Sequence, residues 1–210
     1  MVRAPVGSEF EVHGKEPNVR TRHSRKIEKV RDALVAAVEE TGDIVQATVN
    51  IITETLATTI NDTAKVSTSV TDAIPDVASG AIGGAVQVEA NLGPAAKGIM
   101  IGVLRGTNAA STEVVETIRR IAHVTIHNTA EVGGDLGAAA TGLVKGAIEI
   151  AKELGVSVED AASAAASGAL DAAGKVGSMA VETVRKAVAK PPHGAKAVLK
   201  QLKMAVSRNK

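Results

Sequence analysis

Aromatic residues and cysteine are almost absent from this sequence. Phe10 is the only aromatic residue among the 210, and the chain has no cysteine, tryptophan or tyrosine. The lack of cysteine excludes disulfide bonds and thiolate metal or redox sites. The lack of aromatic residues after Phe10 argues against the base-stacking surfaces that hold single-stranded nucleic acid. A core without rings has to be built from Ala, Val, Ile and Leu, which suits closely packed helices.

A strong net charge and a long apolar run are also missing. The 24 basic residues nearly balance the 23 acidic ones, so no overall field attracts nucleic acid or an acidic substrate. No run approaches the roughly 18 apolar residues that a transmembrane helix needs. The first 20 residues contain no apolar core of a secretory signal. We therefore predict a cytoplasmic protein, with attachment to the surface of the cytoplasmic membrane left open.

What the chain does contain is self-similarity. The segment VETIRR at 115–120 returns as VETVRK at 181–186, and TINDTAKV at 59–66 returns as TIHNTAEV at 125–132, each 66 residues later. This step is a multiple of eleven residues, which make three helical turns at about 3.67 residues per turn. We therefore predict an all-α fold of long helices with eleven-residue apolar periodicity and two copies of a repeat of about 66 residues.

The first two parts of the chain differ in composition. Residues 1–23 mix proline and glycine with scattered charges, which is typical of a disordered tail. The alternative is an extended strap across a partner, held by three apolar anchors: Phe10, Val12 and Val19. Residues 24–74 carry apolar side chains at helical spacing, and Thr41 with Gly42 leaves open whether they form one helix or two.

The third part, residues 75–190, is the glycine- and alanine-rich repeat region. Pro75 is expected to end the preceding helix and Asp76 to cap the next, which should stop at Gly93-Pro94. Length differences between the two copies predict turns near 70–76, 93–95, 133–137 and 155–159. In the second copy Ser157 or Asp160 is the expected start signal of the longer helix. Glycines are expected to interrupt this longer helix, at Gly106 in the first copy and at Gly174 and Gly177 in the second.

The last part, residues 191–210, begins with a proline hinge and continues as a basic amphipathic helix. Such a helix docks on an anionic membrane surface or in a partner groove, or it caps the end of the helical bundle. The residues predicted to face a membrane surface are Lys196, Leu199, Lys200, Leu202 and Lys203.

Glycines at i, i+4 spacing are the most informative feature of the repeat region. They are Gly80, Gly84, Gly98, Gly102, Gly106, Gly142 and Gly146, to which Gly168 is added as the equivalent of Gly102 one repeat later. Each glycine inside a helix costs about 0.5–1 kcal/mol relative to alanine, so the pattern predicts that another backbone comes close there. The neighbouring backbone belongs to the same subunit or to a second one, or the glycines line a groove for a lipid or quinone tail.

Candidate catalytic or metal-binding residues are few. His123 and His127 have the i, i+4 spacing that can hold one metal ion, but no glutamate lies between them and surface histidines are the simpler interpretation. The carboxylates Glu116, Glu149 and Asp171 lie among basic residues. No phosphate-binding loop follows a strand. We therefore expect neither a catalytic site nor a tightly bound cofactor.

The stretches SGAIGGAVQVEANLG and EVGGDLGAAATGLVKGAIEIAKELG resemble bacterial glycine/alanine-rich helical proteins of unknown function. The resemblance covers roughly residues 76–188 and implies no activity. The sequence therefore favours a non-catalytic scaffold subunit that oligomerises through its helices, holds partner proteins and encloses an apolar seam or tube. The alternative is a peripheral lipid-surface protein or a carrier of a lipid or quinone. Nucleic acid is not an expected partner.

Overall fold

The predicted all-α fold is confirmed. The computed structural model describes residues 19–61, 66–107 and 113–189, and this part of the chain contains helices joined by turns, without strands. The eight helices described are α1 (Val19–Thr41), α2 (Ile44–Asn61), α3 (Val66–Gln87), α4 (Leu92–Thr107), α5 (Val114–Glu131), α6 (Leu136–Ala151), α7 (Val158–Val176) and α8 (Ser178–Val188).

The helices form two layers. Helices α1, α3, α5 and α7 contact one another in order in one layer, and α2, α4, α6 and α8 do so in the other. Within the described residues, each helix contacts helices one or two places away along the chain and none further away. This is the arrangement of helical-repeat proteins, in which successive hairpins stack and each unit touches its neighbours.

Stacked helices within a layer run parallel. A Cβ added to Gly80 would meet the carbonyl oxygen of Ile27, and one added to Gly84 would meet that of Arg31, so both helices advance by four residues together. In the other layer, Gly98 and Gly102 of α4 advance in the same way along α2. Short turns join α1 to α2, α3 to α4, α5 to α6, α6 to α7 and α7 to α8, so the two layers run in opposite directions.

Three of the turns share one design, a residue in the left-handed conformation followed two positions later by a capping side chain. The left-handed residues are Glu89 (φ 51°), Gly133 (φ 68°) and Gly155 (φ 69°). In each turn the next backbone N–H donates to a carbonyl five residues earlier, as from Gly134 to Thr129 at 2.8 Å, which satisfies the helix end. The caps of the following helices are Asn91, Asp135 and Ser157.

Glu89 is the one member of this set that is not glycine. A side chain in the left-handed region costs about 1 kcal/mol relative to glycine. We therefore expect Glu89→Gly to raise the free energy of unfolding by about 0.5–1 kcal/mol, measured by urea denaturation. Gly133→Ala, with the same change of backbone preference in reverse, should lower the free energy of unfolding. Destabilisation by Glu89→Gly would contradict the positive φ.

The predicted helix boundary at Pro75 is wrong, and with it the division of the chain between residues 74 and 75. Pro75 lies inside α3, although an interior proline costs about 3 kcal/mol. Ala73 and Ile74 before it, and Val77 and Ala78 after it, are all at most 3% exposed. Because both sides of the proline are held in the core, the helix continues through it.

Asp76, predicted to cap a helix start, instead lies in mid-helix and is 5% exposed. Its carboxylate contacts Nδ1 of His23 in α1 at 2.6 Å. Gly93 and Pro94 lie in the first turn of α4 and do not end α3. A proline is tolerated there because the first backbone N–H groups of a helix have no intrahelical partner.

Other predicted boundaries agree with the structure. Gly42, with φ 69°, separates α1 from α2, so residues 24–61 form two helices. Ser157 caps α7, since its hydroxyl accepts from the N–H of Asp160 at 3.0 Å. Gly177 separates α7 from α8 with φ 144°, whereas Gly174 lies within α7. A step of 66 residues leads from Leu92, where α4 begins, to Val158, where α7 begins, so it crosses between layers, and the 66-residue repeat stays a prediction.

The core is aliphatic and runs through the middle of the stack. Its largest fully buried side chains are Leu34, Ile52, Leu56, Ile82, Ile99, Met100, Leu104, Ile118, Ile121, Ile126, Leu143 and Ile150. In α7 the core is mostly alanine, with Ala161 and Ala165 fully buried. Such small side chains allow the helix axes to come close together, and the glycines described below have the same effect.

Candidate functional site

The eight predicted glycines all face another helix of the same chain. Gly80 and Gly84 of α3 lie against α1; Gly98, Gly102 and Gly106 of α4 lie against α2; Gly142 and Gly146 of α6 lie against α4; Gly168 of α7 lies against α5. The structure therefore places these residues in contacts within the subunit, the first of the three alternatives.

The contact at each seam is with backbone as well as side chains. A Cβ on Gly98 would lie 3.0 Å from the carbonyl oxygen of Val45, and one on Gly146 would lie 2.8 Å from that of Lys97. In glycine a hydrogen takes the place of Cβ, so a Cα–H group points at the carbonyl oxygen of the neighbouring helix. Such weak hydrogen bonds recur where helices pack closely. The glycines thus act as the joints of the stack.

Ion pairs reinforce these joints on the outer faces. Lys97 Nζ lies 2.7 Å from Glu149 Oε2, and Arg105 Nη2 lies 2.9 Å from Glu153 Oε1, both linking α4 to the end of α6. In the other layer Arg119 Nη2 lies 2.8 Å from Asp171 Oδ2, and this carboxylate raises the pKa of the Arg119 guanidinium. Half-exposed pairs of this kind contribute little stability each, but they fix the register of neighbouring helices.

The two candidate metal-ligating histidines have separate partners. Lys175 Nζ lies 3.2 Å from Nε2 of His123, and since an ammonium can only donate, that nitrogen accepts. His127 Nε2 lies 3.4 Å from Oε1 of Glu131. In the part of the chain that the structure describes, no group of three or more His, Asp or Glu side chains is arranged to hold a metal ion.

His123 makes stability depend on pH. Burial lowers the pKa of its imidazole below 6.5, and the nearby Lys175 cation lowers it further. His123 therefore binds a proton less tightly in the folded chain than in the unfolded chain. Its contribution to the free energy of unfolding is complete above pH 6.5 and is lost as pH falls through the folded pKa. We expect His123→Gln to show a smaller fall in urea midpoint than wild type between about pH 8 and about pH 5. Equal falls in the two proteins would count against this role.

A groove crosses the outer face of the even-numbered layer near the starts of α2, α4 and α6. We call it the α4–α6 groove; it has a volume of about 570 Å³. Its lining is mostly small: Val45, Asn91, Gly93, Pro94, Lys97, Asp135, Gly137, Ala138, Thr141, Gly142, Lys145 and Ala187. The groove exists because the backbones of Gly93 and Gly142 meet at its floor, so no large side chain fills the space above them.

Four of the polar side chains of this groove already have partners within the fold. Asn91 Oδ1 accepts from the N–H of Gly93 at 2.8 Å, and Asp135 Oδ1 accepts from those of Gly137 and Ala138 at 2.9 Å. The Thr141 hydroxyl donates to the Gly137 carbonyl, and Lys97 pairs with Glu149. The groove therefore offers an apolar, close-approach surface and not a set of convergent reactive groups.

A second surface was not singled out by the sequence. Large apolar side chains are exposed where successive helices of the odd-numbered layer end: Val86 in α3 (44%), Val132 after α5 (45%) and Val176 in α7 (47%), with Met179 (85%) just beyond. We call these four residues the valine row. Single exposed apolar residues are ordinary on a protein surface, but here they recur at the same end of three stacked helices. The valine preceding a turn glycine, in Val132-Gly133 and Val176-Gly177, was the available signal.

Several predicted site residues lie outside the described part. These are the strap residues Phe10 and Val12, and the membrane-surface residues Lys196, Leu199, Lys200, Leu202 and Lys203. Val19 is the first residue of α1. Among the helices described, none combines the length and the apolar character that crossing a membrane would require.

No family model, no curated protein and no solved structure matches this chain. The resemblance to bacterial glycine/alanine-rich helical proteins therefore stays a prediction. The α4–α6 groove and the valine row are therefore the features that bear on the function of this chain.

Proposed function

We propose that the protein is a non-catalytic helical scaffold that associates with copies of itself and holds partner proteins through the valine row. The observation that carries this proposal is the recurrence of exposed apolar side chains at the ends of α3, α5 and α7. Exposed apolar residues grouped on one edge of a fold mark sites of protein or membrane interaction.

The architecture supports this role in two ways. A stack whose helices contact only near neighbours is extended, so it presents equivalent positions in a line, which suits the binding of elongated partners. In addition, Asn91, Asp135 and Lys97 of the α4–α6 groove are committed to helix caps and to one ion pair. Such a groove favours packing over chemistry.

The contact surface differs from the one expected from the sequence. Because Gly80, Gly98, Gly142 and Gly168 already contact helices of their own chain, we assign self-association to the valine row and not to the glycine seams. The residues of the row belong to the turn edge, where a second molecule can approach without separating stacked helices.

The test is the mass of the full chain in lipid-free buffer, measured by size-exclusion chromatography with light scattering. We expect a discrete multimer for wild type and a monomer for the combined variant Val132→Glu, Val176→Glu, Met179→Glu. The matched control carries Ala33→Glu, Ala36→Glu and Ala57→Glu, three exposed residues of α1 and α2, and should remain a multimer. Both variants should keep wild-type helix content by circular dichroism.

Two results would overturn the proposal. One is a wild-type protein that stays monomeric at all concentrations. The other is a protein that floats with anionic vesicles and loses this behaviour in the valine-row variant but not in the control, which would assign the row to a lipid surface. Partner binding is tested by quantifying the proteins that co-purify with each variant, since a partner of the row should be lost from the row variant alone.

A further inference from the structure

The end of α8 leads directly into the α4–α6 groove. Ala187, in the last turn of α8, lines the groove, and a Cβ added to Gly137 at the start of α6 would lie 3.6 Å from its methyl group. The described chain ends two residues later, at Ala189, and the sequence continues for 21 residues to Lys210. Whatever follows α8 therefore leaves from one wall of this groove.

We propose that the segment 194–206 of the same chain occupies the α4–α6 groove. This segment lies outside the described residues, and its sequence GAKAVLKQLKMAV places five apolar residues at helical spacing: Ala195, Val198, Leu199, Leu202 and Val206. The lysines at 196, 200 and 203 fall on one flank of this pattern, roughly 80–140° around the helix from its apolar side, so a helix seated by its apolar side can keep their ammonium groups in water.

The segment is long enough to cover the groove. A helix of 13 residues is about 20 Å long, and the groove follows α6 from Gly137 to Lys145, a rise of about 12 Å, so the helix would span the groove and extend beyond it. Pro191 and Pro192 lack the backbone N–H that would continue a helix, so their sequence favours a break between α8 and the segment 194–206. The four residues 190–193 reach at most about 14 Å when extended, which is enough to enter a groove whose wall is Ala187.

The surface chemistry fits as well. The floor of the groove is backbone at Gly93 and Gly142, so leucine side chains can approach without displacing larger ones. Asp135 is an exposed carboxylate of the lining and can attract a lysine of a seated helix. Tethering adds to this, because a short linker gives the segment an effective concentration on the order of millimolar.

Disulfide formation tests the proposal, and the lack of native cysteine makes the result unambiguous. The test pair is Thr141→Cys with Leu199→Cys. One control pair is Thr141→Cys with Lys200→Cys, on the other side of the segment; the second is Ala57→Cys with Leu199→Cys, since Ala57 is exposed on α2 away from the groove. We expect the test pair to form an intrachain disulfide roughly ten times faster than either control, as its effective concentration is higher.

An independent measurement uses a nitroxide spin label on Leu199→Cys alone. Its motion should be restricted in the otherwise unchanged protein and freed by Ala138→Arg, which fills the groove, but not by Ala57→Arg. Circular dichroism verifies that each variant is folded. Equal disulfide rates in all pairs, a disulfide that joins two chains, or a label equally mobile in all backgrounds would each overturn the proposal. None of these outcomes depends on whether the valine row mediates self-association.

Discussion

Gly142→Ala should lower the free energy of unfolding by about 2–3 kcal/mol, although alanine is the better helix former. A methyl group at this position would overlap the backbone carbonyl of Gly93. Backbone cannot rotate away as a side chain does, so α4 and α6 have to separate along their joint. At roughly 2–4 °C per kcal/mol for a chain of this size, the melting temperature should fall by about 5–10 °C.

Gly168→Ala should behave in the same way, because its added methyl group would overlap the carbonyl of Arg119. Gly174→Ala is the matched control: this glycine also lies in α7, but nothing is within 4 Å of the added Cβ. It should raise the free energy of unfolding by about 0.5–1 kcal/mol. Differential scanning calorimetry of the three variants measures the contrast. If all three shift the melting temperature in one direction, the seams are not backbone contacts.

His23→Ala should cost about 3 kcal/mol, because it leaves a buried charge without its partner. The Asp76 side chain is 7% exposed and contacts His23 Nδ1 at 2.6 Å, whereas the histidine is 45% exposed. Removing the imidazole therefore removes a short polar contact to this buried carboxylate. The pair also joins α1 to α3, so its loss should loosen the first helix of the stack.

The double variant His23→Ala, Asp76→Leu separates the effect of the unpaired charge on Asp76 from the effect of losing the contact between α1 and α3. An apolar side chain of similar volume has no charge to satisfy, so it should recover most of the lost stability. Asp32→Ala, which breaks the exposed pair between Arg31 and Asp32 in α1, is the control and should change the free energy of unfolding by less than about 0.5 kcal/mol. Urea denaturation of the four proteins gives the comparison, and a double variant no more stable than His23→Ala would argue against an unpaired charge as the cause.

The sequence identified the joints of the fold but not which helices they join. Glycines at i, i+4 spacing predicted that another backbone lies close to them. Glycine is a poorer helix former than alanine, and close contact with a backbone is the reason to have it inside a helix. Which backbone approaches each glycine depends on the register of α4 on α2 or of α6 on α4. That register is set by packing between residues about 50 positions apart, as for Gly98 and Val45, and a local pattern does not contain it.

The prediction that proline ends a helix fails at both Pro75 and Pro94, for two different physical reasons. Pro75 and Pro94 were both expected to end a helix, because proline lacks the N–H that continues the ladder. At Pro94 the missing group is one that the first turn of a helix does not need. At Pro75 the hydrogen bond is lost, but four buried neighbours keep α3 helical on both sides of it. Local rules give the cost of such a residue, and tertiary contacts decide whether the fold accepts it.

The candidate surfaces could be anticipated only in part. The α4–α6 groove is assembled from Val45, Pro94, Ala138 and Ala187, which belong to four different helices and are small or apolar residues without a recognisable motif. Two members of the valine row, Val132 and Val176, are visible in sequence as a valine before a turn glycine, but that they lie at the same end of the layer depends on the parallel stacking of α3, α5 and α7. Residue type and spacing in a sequence can indicate reactive groups, whereas a packing surface can be identified only once the tertiary structure is known.

The restriction of contacts to near neighbours also bears on how the chain is made. No described helix requires a partner more than two places ahead of it, so α1 to α4 can bury their joints while the rest is still being synthesised. At roughly 5–20 residues per second, the ribosome delivers each new helix onto a finished one. The described helices can therefore fold in the order of their translation, and none of them has to wait for a partner more than two helices later.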